Sequence, residues 1–324
     1  MATQRFGQLL EAVKSRRCIL FLGAGVHYPP PTDLPQYQYP EPLRPPLGAA
    51  LSRSLVLDSR RLMREGFPDK ATAEPGARDE FVQPSLEKLR FLRRHRDDLQ
   101  RTSWYYELEH ARNTLVDFVG SHVNTGKEPS AIVRGLAELN FPVVITTNYD
   151  LLFENARKGH NESDPAEAIN LTTCVYDPNP TARPIEYHDV PAEKECWFLK
   201  IHGCVTKPES IVITDEDYIK FISRMNAEEL YHPIPARIRA LMSQWTTLFV
   251  GYSLLDYNLR LLFRTLRWRL EPASRPLTFS VDRKPDYLIR ATYEKGDLVS
   301  FIARDMWRAV PELYHRVKGR PMPP

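Results

Sequence analysis

The chain has 324 residues, 42% of them hydrophobic and 26% charged, which suits a globular protein whose core needs neither disulfides nor a metal. Its 44 basic and 41 acidic residues leave a net charge of +3, which argues against a dedicated nucleic-acid binder. No run approaches the roughly 20 apolar residues that span a bilayer. Among the cysteines Cys18, Cys174, Cys196 and Cys204 there is no Cys-x-x-Cys pair, the spacing of common structural zinc sites. A reduced, cytoplasmic chain without a membrane segment or metal is expected.

Residues 1–17 mix charged and apolar side chains, reading as an amphipathic helix centred on 9–15 and not as a signal peptide. Residues 17–22 form a continuous apolar run, the pattern of a central parallel strand, and Gly23-Ala24-Gly25 ends it. The proline-dense stretch 28–46 can be neither helix nor central strand, and is either a lid or a surface insertion. A helix over 47–64, a flexible link over 67–84 and a strongly helical stretch over 85–122 follow. A helix over 131–139 is expected to be capped by Ser130. We therefore expect one domain over 1–324 with a helical subdomain over 47–140 inside it.

Further strands are expected over 141–145, 196–201, 210–213, 246–250 and 277–281, with a last one over 297–302. Helices are expected over 151–158, 215–224, 235–244, 256–270 and 306–317, and 172–185 reads as turns. Apolar strands alternating with helices predict an α/β, Rossmann-like, doubly wound parallel sheet of about six strands.

In such a sheet ligands bind at the carboxyl ends of the strands. Three short pieces fall there: Gly23-Ala24-Gly25, Thr146-Thr147-Asn148-Tyr149-Asp150 and Ile201-His202-Gly203. The glycine turn lets backbone approach a phosphate, or is simply a tight turn. It has neither the third glycine of the dinucleotide fingerprint nor the Lys-Ser/Thr of a P-loop. Asn148 and Asp150 can grip ribose hydroxyls, an amide or a water, although Asp150 also suits a helix cap. His202 is a candidate general base. Gly251 and Ser253 form an anion-friendly turn, and Asp282 is either a ribose acceptor or a turn residue. The basic run over 90–96 reads as a solvated helix face or, less favoured, as a docking surface for an acidic partner.

Taken together, Gly23-Ala24-Gly25, Ile145 to Leu152, Leu199 to Gly203, Ile213 to Phe221 with Asp217-Tyr218, and Leu248 to Asp256 resemble the sirtuin superfamily, and most of all its bacterial sirtuin-like branch. The resemblance runs from about Arg17 to Leu270. It implies a nicotinamide adenine dinucleotide (NAD) site without a metal. Gly23, Ala24 and Gly25 would form the pyrophosphate turn. Thr147, Gly251, Ser253 and Asp282 would bind further parts of the dinucleotide, and Asn148, Asp150 and His202 would be the catalytic group. Sirtuins usually carry serine where this chain has His27, which either takes part in the nicotinamide pocket or blocks it. The protein-deacylase zinc module needs two Cys-x-x-Cys pairs after the His-Gly, and only Cys204 follows.

The activity that the resemblance implies is NAD+ glycohydrolysis to ADP-ribose and nicotinamide, serving anti-phage defence by depleting NAD+. The alternatives are an NAD-dependent deacylase or ADP-ribosyltransferase, and a non-catalytic NAD or ADP-ribose sensor. A toxic hydrolase needs control, so a homo-oligomer and a regulatory partner, such as a motor ATPase encoded nearby, are expected by family analogy.

Overall fold

The computed structural model describes residues 2–65, 77–179, 181–182, 186–226, 232–254, 275–296 and 298–324. Its centre is one sheet of seven strands: β1 (Cys18–Leu22), β2 (Val143–Thr146), β3 (Asn170–Val175), β4 (Glu195–Lys200), β5 (Thr246–Val250), β6 (Thr278–Val281) and β7 (Ser300–Ile302). The strand order is β3-β4-β2-β1-β5-β6-β7, and every pairing is parallel. The chain starts at the centre, builds one wing, then crosses back to lay β5 against β1. The sheet is therefore α/β and Rossmann-like, and its switch point lies between β1 and β5.

All five side chains of β1 are buried, as a strand covered on both faces requires. They alternate between two apolar layers. Cys18, Leu20 and Leu22 join a layer with α1 (Ala2–Lys14), α6 (Ala131–Glu138), α7 (Leu152–Ser163) and α11 (Met306–Lys318). Ile19 and Phe21 join the other, with α8 (Asp215–Asn226), α9 (Ala236–Met242) and α10 (Tyr287–Lys295). The first layer holds both Leu9 and Met322, so opposite ends of the chain share one core.

A third cluster lies beside the sheet. It joins α2 (Gly48–Glu65), α4 (Leu99–His110) and α5 (Arg112–Val123) through Leu51, Leu55, Tyr106, Leu115 and Val119. The stretch expected to be helical over 85–122 is three helices. The first, α3 (Ala77–Arg94), begins inside the expected flexible link, whose residues 67–76 lie outside the described residues. Asp98 caps α4 by accepting from the Arg101 amide, and Ala111, at φ 70°, separates α4 from α5. Ser130 caps α6 as expected, accepting from the Val133 amide at 3.2 Å.

Two strand expectations are corrected. Residues 210–213 are not a strand: Ser210 ends a short 3-10 turn, and Ile211 and Ile213 are buried under the helical cluster instead. The turn-rich reading of 172–185 hides the edge strand β3, whose mixed burial and polar Asn170, Thr172 and Thr173 disguise it. The expected helix over 256–270 lies outside the described residues.

Candidate active site

Four consecutive strands of the sheet, β4, β2, β1 and β5, deliver all the candidate site residues singled out above except Asp282, which follows β6, to one edge. The β1 and β5 turns are packed backbone to backbone. The Gly23 amide donates to the Val250 carbonyl at 3.0 Å, and the Gly25 amide to the Gly251 carbonyl at 2.8 Å. A Cβ on Gly23 would lie 2.5 Å from the Gly251 oxygen, and one on Gly25 2.6 Å from it. Gly251 adopts φ +76°, and a Cβ there would meet the Val26 amide nitrogen at 2.4 Å. These glycines are thus required by the approach of two turns to each other. Between them, no hydrogen bond joins the Ala24 amide to another described residue. Ser253 is exposed one residue beyond Tyr252.

The β2 turn is organised by Thr146. Its hydroxyl donates to the Leu22 carbonyl at 2.7 Å and accepts from the Asn148 amide at 3.0 Å, which bends the chain out of the strand. Thr147 reaches the other way, its hydroxyl 2.9 Å from that of Tyr252, so the β2 and β5 turns are bridged across β1. Asn148 is buried, and its side-chain oxygen has no hydrogen-bond partner among the described residues. A buried, unsatisfied carbonyl is uncommon in folded proteins and marks a place for a ligand or water.

Asp150 does two jobs. Oδ1 accepts from the Leu152 amide, the first of α7, at 2.9 Å, while Oδ2 lies 3.4 Å from His27 Nε2. Burial pushes the Asp150 carboxyl up, but His27, Lys200 and the Leu152 amide outweigh it and hold the group below its ordinary value. His27 is itself buried, its Nδ1 being 3.3 Å from the Tyr39 hydroxyl, which donates to the Glu128 carbonyl at 2.8 Å. The proline-dense stretch that supplies Tyr39 is pinned down rather than free: Tyr37 packs on Trp307, and Trp307 Nε1 donates to the Tyr28 carbonyl.

His202 follows β4 and is buried. Tyr218 and Phe221 of α8 meet its ring edge-on at centroid distances of 5.2 and 5.1 Å. With no charge beside it, desolvation lowers its pKa to about 3, so the imidazole is neutral across the physiological range. β2 and β4 are neighbours, and the Ile201 amide donates to the Thr146 carbonyl at 3.0 Å. Asn148 and His202 therefore leave adjacent strands at the same edge.

Lys200, fully buried at the end of β4, donates to the Asp150 carbonyl and, at 3.0 Å, to Glu154 Oε1. Burial raises the pKa of Glu154, and Lys200 offsets this only in part. A lysine at the end of an otherwise apolar strand was a visible signal of this tether. Tyr39 carried no such mark, because it is one tyrosine among 15 until the fold places it, while Tyr218 and Tyr252 lie inside the motifs quoted above. Asp282, after β6, accepts from the Lys284 amide at 2.9 Å in a tight turn. Arg90, Arg93, Arg94 and Arg96 are exposed.

Residues 142–302 match the family model described as a SIR2-like domain.

Among curated proteins, the chain is 29% identical over 182 residues to the NAD(+) hydrolase ThsA of Enterococcus faecium, covering 55% of this chain and 34% of that protein. It is 24% identical over 223 residues to the protein of the same name from Acinetobacter baumannii, covering 68% of this chain and 41% of that one. Defense-associated sirtuin 2 of Bacillus subtilis is 26% identical over 149 residues, 44% of this chain and 12% of that protein. The chain thus aligns with well under half the length of each of these relatives. The SIR2-like match spans β2 to β7 and includes Asn148, His202 and Gly251, while β1 and its glycine turn precede it. Among the described residues, no three metal-ligating side chains cluster, and no helix is long and apolar enough to cross a membrane.

Proposed function

We propose that this chain is an NAD+ glycohydrolase that cleaves NAD+ to ADP-ribose and nicotinamide. The observation that carries the reading is the buried Asn148 side chain with an unsatisfied oxygen, at the same edge as the neutral, desolvated His202. The names of the two ThsA relatives support the choice of substrate. The Ala24 amide supports a place for phosphate at the β1 turn, since it alone of the three turn amides lacks a protein acceptor among the described residues.

The chemistry suits these groups. The bond between the ribose C1′ and the pyridinium nitrogen breaks, its electron pair leaves with nicotinamide, and positive charge develops on the ribose, as in glycoside cleavage. Water adds to C1′ and loses a proton. Asn148 would orient the ribose or that water through its amide. A neutral His202 would be the acceptor of that proton, a weak base while burial holds its pKa at about 3. Asp150, with one oxygen on a backbone amide and the other facing His27, supports the site from behind.

In this reading residues 1–324 act as one domain, which the core shared by Leu9 and Met322 supports, and 47–140 contains the helical subdomain. The chain works in the cytoplasm, as an oligomer under the control of a regulatory partner, and depletes NAD+ in anti-phage defence. The name of the Bacillus relative supports the defensive role. The deciding experiment is to incubate purified protein with NAD+ and follow nicotinamide. Release without any acceptor is the expected result. Release only with an acyl-lysine peptide or a protein acceptor, or binding without release, would overturn hydrolysis.

A further inference from the structure

The strand β4 is only part of what fixes His202. The His202 carbonyl accepts from the Val212 amide at 2.9 Å, and the ring lies against Tyr218 and Phe221. Gly203, at φ +90°, passes so close to Ser210 that a Cβ there would lie 2.2 Å from the Ser210 oxygen. Residues 210–221 therefore hold His202 by both backbone and ring. Val212 also faces the other candidate turn. Its carbonyl accepts from the Tyr149 hydroxyl at 2.8 Å, and Tyr149 stands between Asn148 and Asp150. Val212 is thus bonded to the His202 turn through its amide and to the Asn148 turn through its carbonyl.

Val212 lies outside any helix or strand, so its place depends on what grips its neighbours. Ile211 and Ile213 are buried in the helical cluster. Arg112, the first residue of α5, donates from Nη2 to the Ile211 carbonyl and from Nη1 to Asp217 Oδ2 at 2.8 Å. The same carboxylate oxygen accepts from the Ile213 and Thr214 amides, each at 3.0 Å. Nη1 also donates to Glu107 Oε2 of α4 at 3.0 Å. The guanidinium fork grips both neighbours of Val212, Ile211 directly and Ile213 through Asp217. Bonds from a guanidinium are charge-assisted and stronger than neutral ones. They are also shielded here, Arg112 and Asp217 being 27% and 18% exposed. The pair of Arg101 and Asp215 likewise joins α4 to α8, but Arg101 is 49% exposed, where an ion pair contributes little.

We propose that Arg112 is a positioning residue of the site: from the helical subdomain it clamps residues 211–213, and through Val212 that clamp sets the Asn148 turn against His202. The helical subdomain is then a working part of the site. The kinetic part of this inference rests on the proposed NAD+ hydrolysis; the clamp itself does not.

The test pairs nicotinamide-release kinetics with hydrogen–deuterium exchange of the full chain. Arg112→Ala is expected to lower kcat on the order of tenfold to a hundredfold, with KM held within about threefold. Exchange of the Val212 amide should quicken about tenfold or more, while β1 and β2 keep their protection. Arg112→Lys, which offers a point charge in place of the fork, is expected to recover part of the lost kcat, and it carries the same comparison if Arg112→Ala does not fold. Arg101→Ala is the control, with kcat expected within about twofold of wild type. Tyr149→Phe frees Val212 from the other side. Combined with Arg112→Lys, it should cost less than the product of the two single losses. Unchanged kcat in Arg112→Ala, or a raised KM with kcat retained, would overturn the positioning role. An equal loss in Arg101→Ala would overturn it too, by tracing the effect to docking of the helices at large. If the wild type releases no nicotinamide, hydrolysis fails on its own, and unchanged exchange at Val212 in both Arg112 variants still overturns the clamp.

Discussion

At the ends of β1 and β5, backbone meets backbone: Gly23 and Gly25 donate to β5 and its turn, and Gly251 closes against Val26. At the ends of β2 and β4, side chains carry the structure, and some are left unsatisfied. Asn148 keeps a buried oxygen without a partner among the described residues, and His202 lies desolvated against two aromatic rings. The glycine turn, the most conspicuous motif in the sequence, owes its glycines to packing. The other half holds the buried Asn148 oxygen, which has no partner among the described residues, and the proposed chemistry rests there.

The strongest way to break this comparison is to remove those side chains. Asn148→Ala and His202→Ala are each expected to reduce nicotinamide release by roughly 100- to 10,000-fold, with circular dichroism unchanged. Near-normal turnover in either would move the chemistry elsewhere. By contrast, Gly251→Ala should act on folding. It forces an L-residue to φ +76° and sets a Cβ 2.4 Å from the Val26 nitrogen. Urea unfolding is expected to show a loss of about 1–3 kcal/mol or more. A variant of wild-type stability would mean that the two turns part easily, and that the packing role of the glycines is overstated.

The pH dependence of stability sharpens the same contrast, since the β2 and β4 half holds the desolvated ring of His202. His202 has a folded pKa of about 3 against an ordinary 6.5. The unfolded chain therefore binds the extra proton first. The contribution of the neutral ring is complete above about pH 6.5 and is lost as pH falls toward 3. His202→Phe, which keeps an aromatic ring against Tyr218 and Phe221, is expected to flatten the acid side of the stability profile between those values. An unchanged slope in urea titrations from pH 7 to pH 4 would show that His202 is not the desolvated group.

The legibility of the fold follows burial. β1 and β2 were readable because a strand covered on both faces carries consecutive apolar residues, here Cys18 to Leu22 and Val143 to Ile145. β3 was not, because an edge strand needs only one apolar face, and Asn170, Thr172 and Thr173 look like turn residues. Residues 210–213 misled for the converse reason: Ile211 and Ile213 are apolar because helices cover them, which a strand pattern cannot distinguish. At the site, Asn148 and His202 were legible from their places after apolar runs. The pairing of His27 with Asp150 was not, since it depends on two turns 123 residues apart meeting across β1 and β2, and on Tyr39 arriving from a loop with no periodic pattern.

The smallest expected effect concerns the seam between the two halves. The hydroxyls of Tyr252 and Thr147, 2.9 Å apart, form a side-chain link from the β5 turn to the β2 turn. The ring of Tyr252 also packs edge-on against Phe21 and Phe249, so most of its contribution is apolar and survives loss of the oxygen. Tyr252→Phe is therefore expected to cost only about 0.5–1.5 kcal/mol in urea unfolding, the net worth of one hydrogen bond. Its effect on turnover should exceed its effect on stability if the link aligns Asn148 with the glycine turn, because small misplacements cost rate steeply. Thr147→Val removes the same hydrogen bond from the opposite side. The double variant should then lose little more than either single one, and additive losses would show that the two hydroxyls serve different partners.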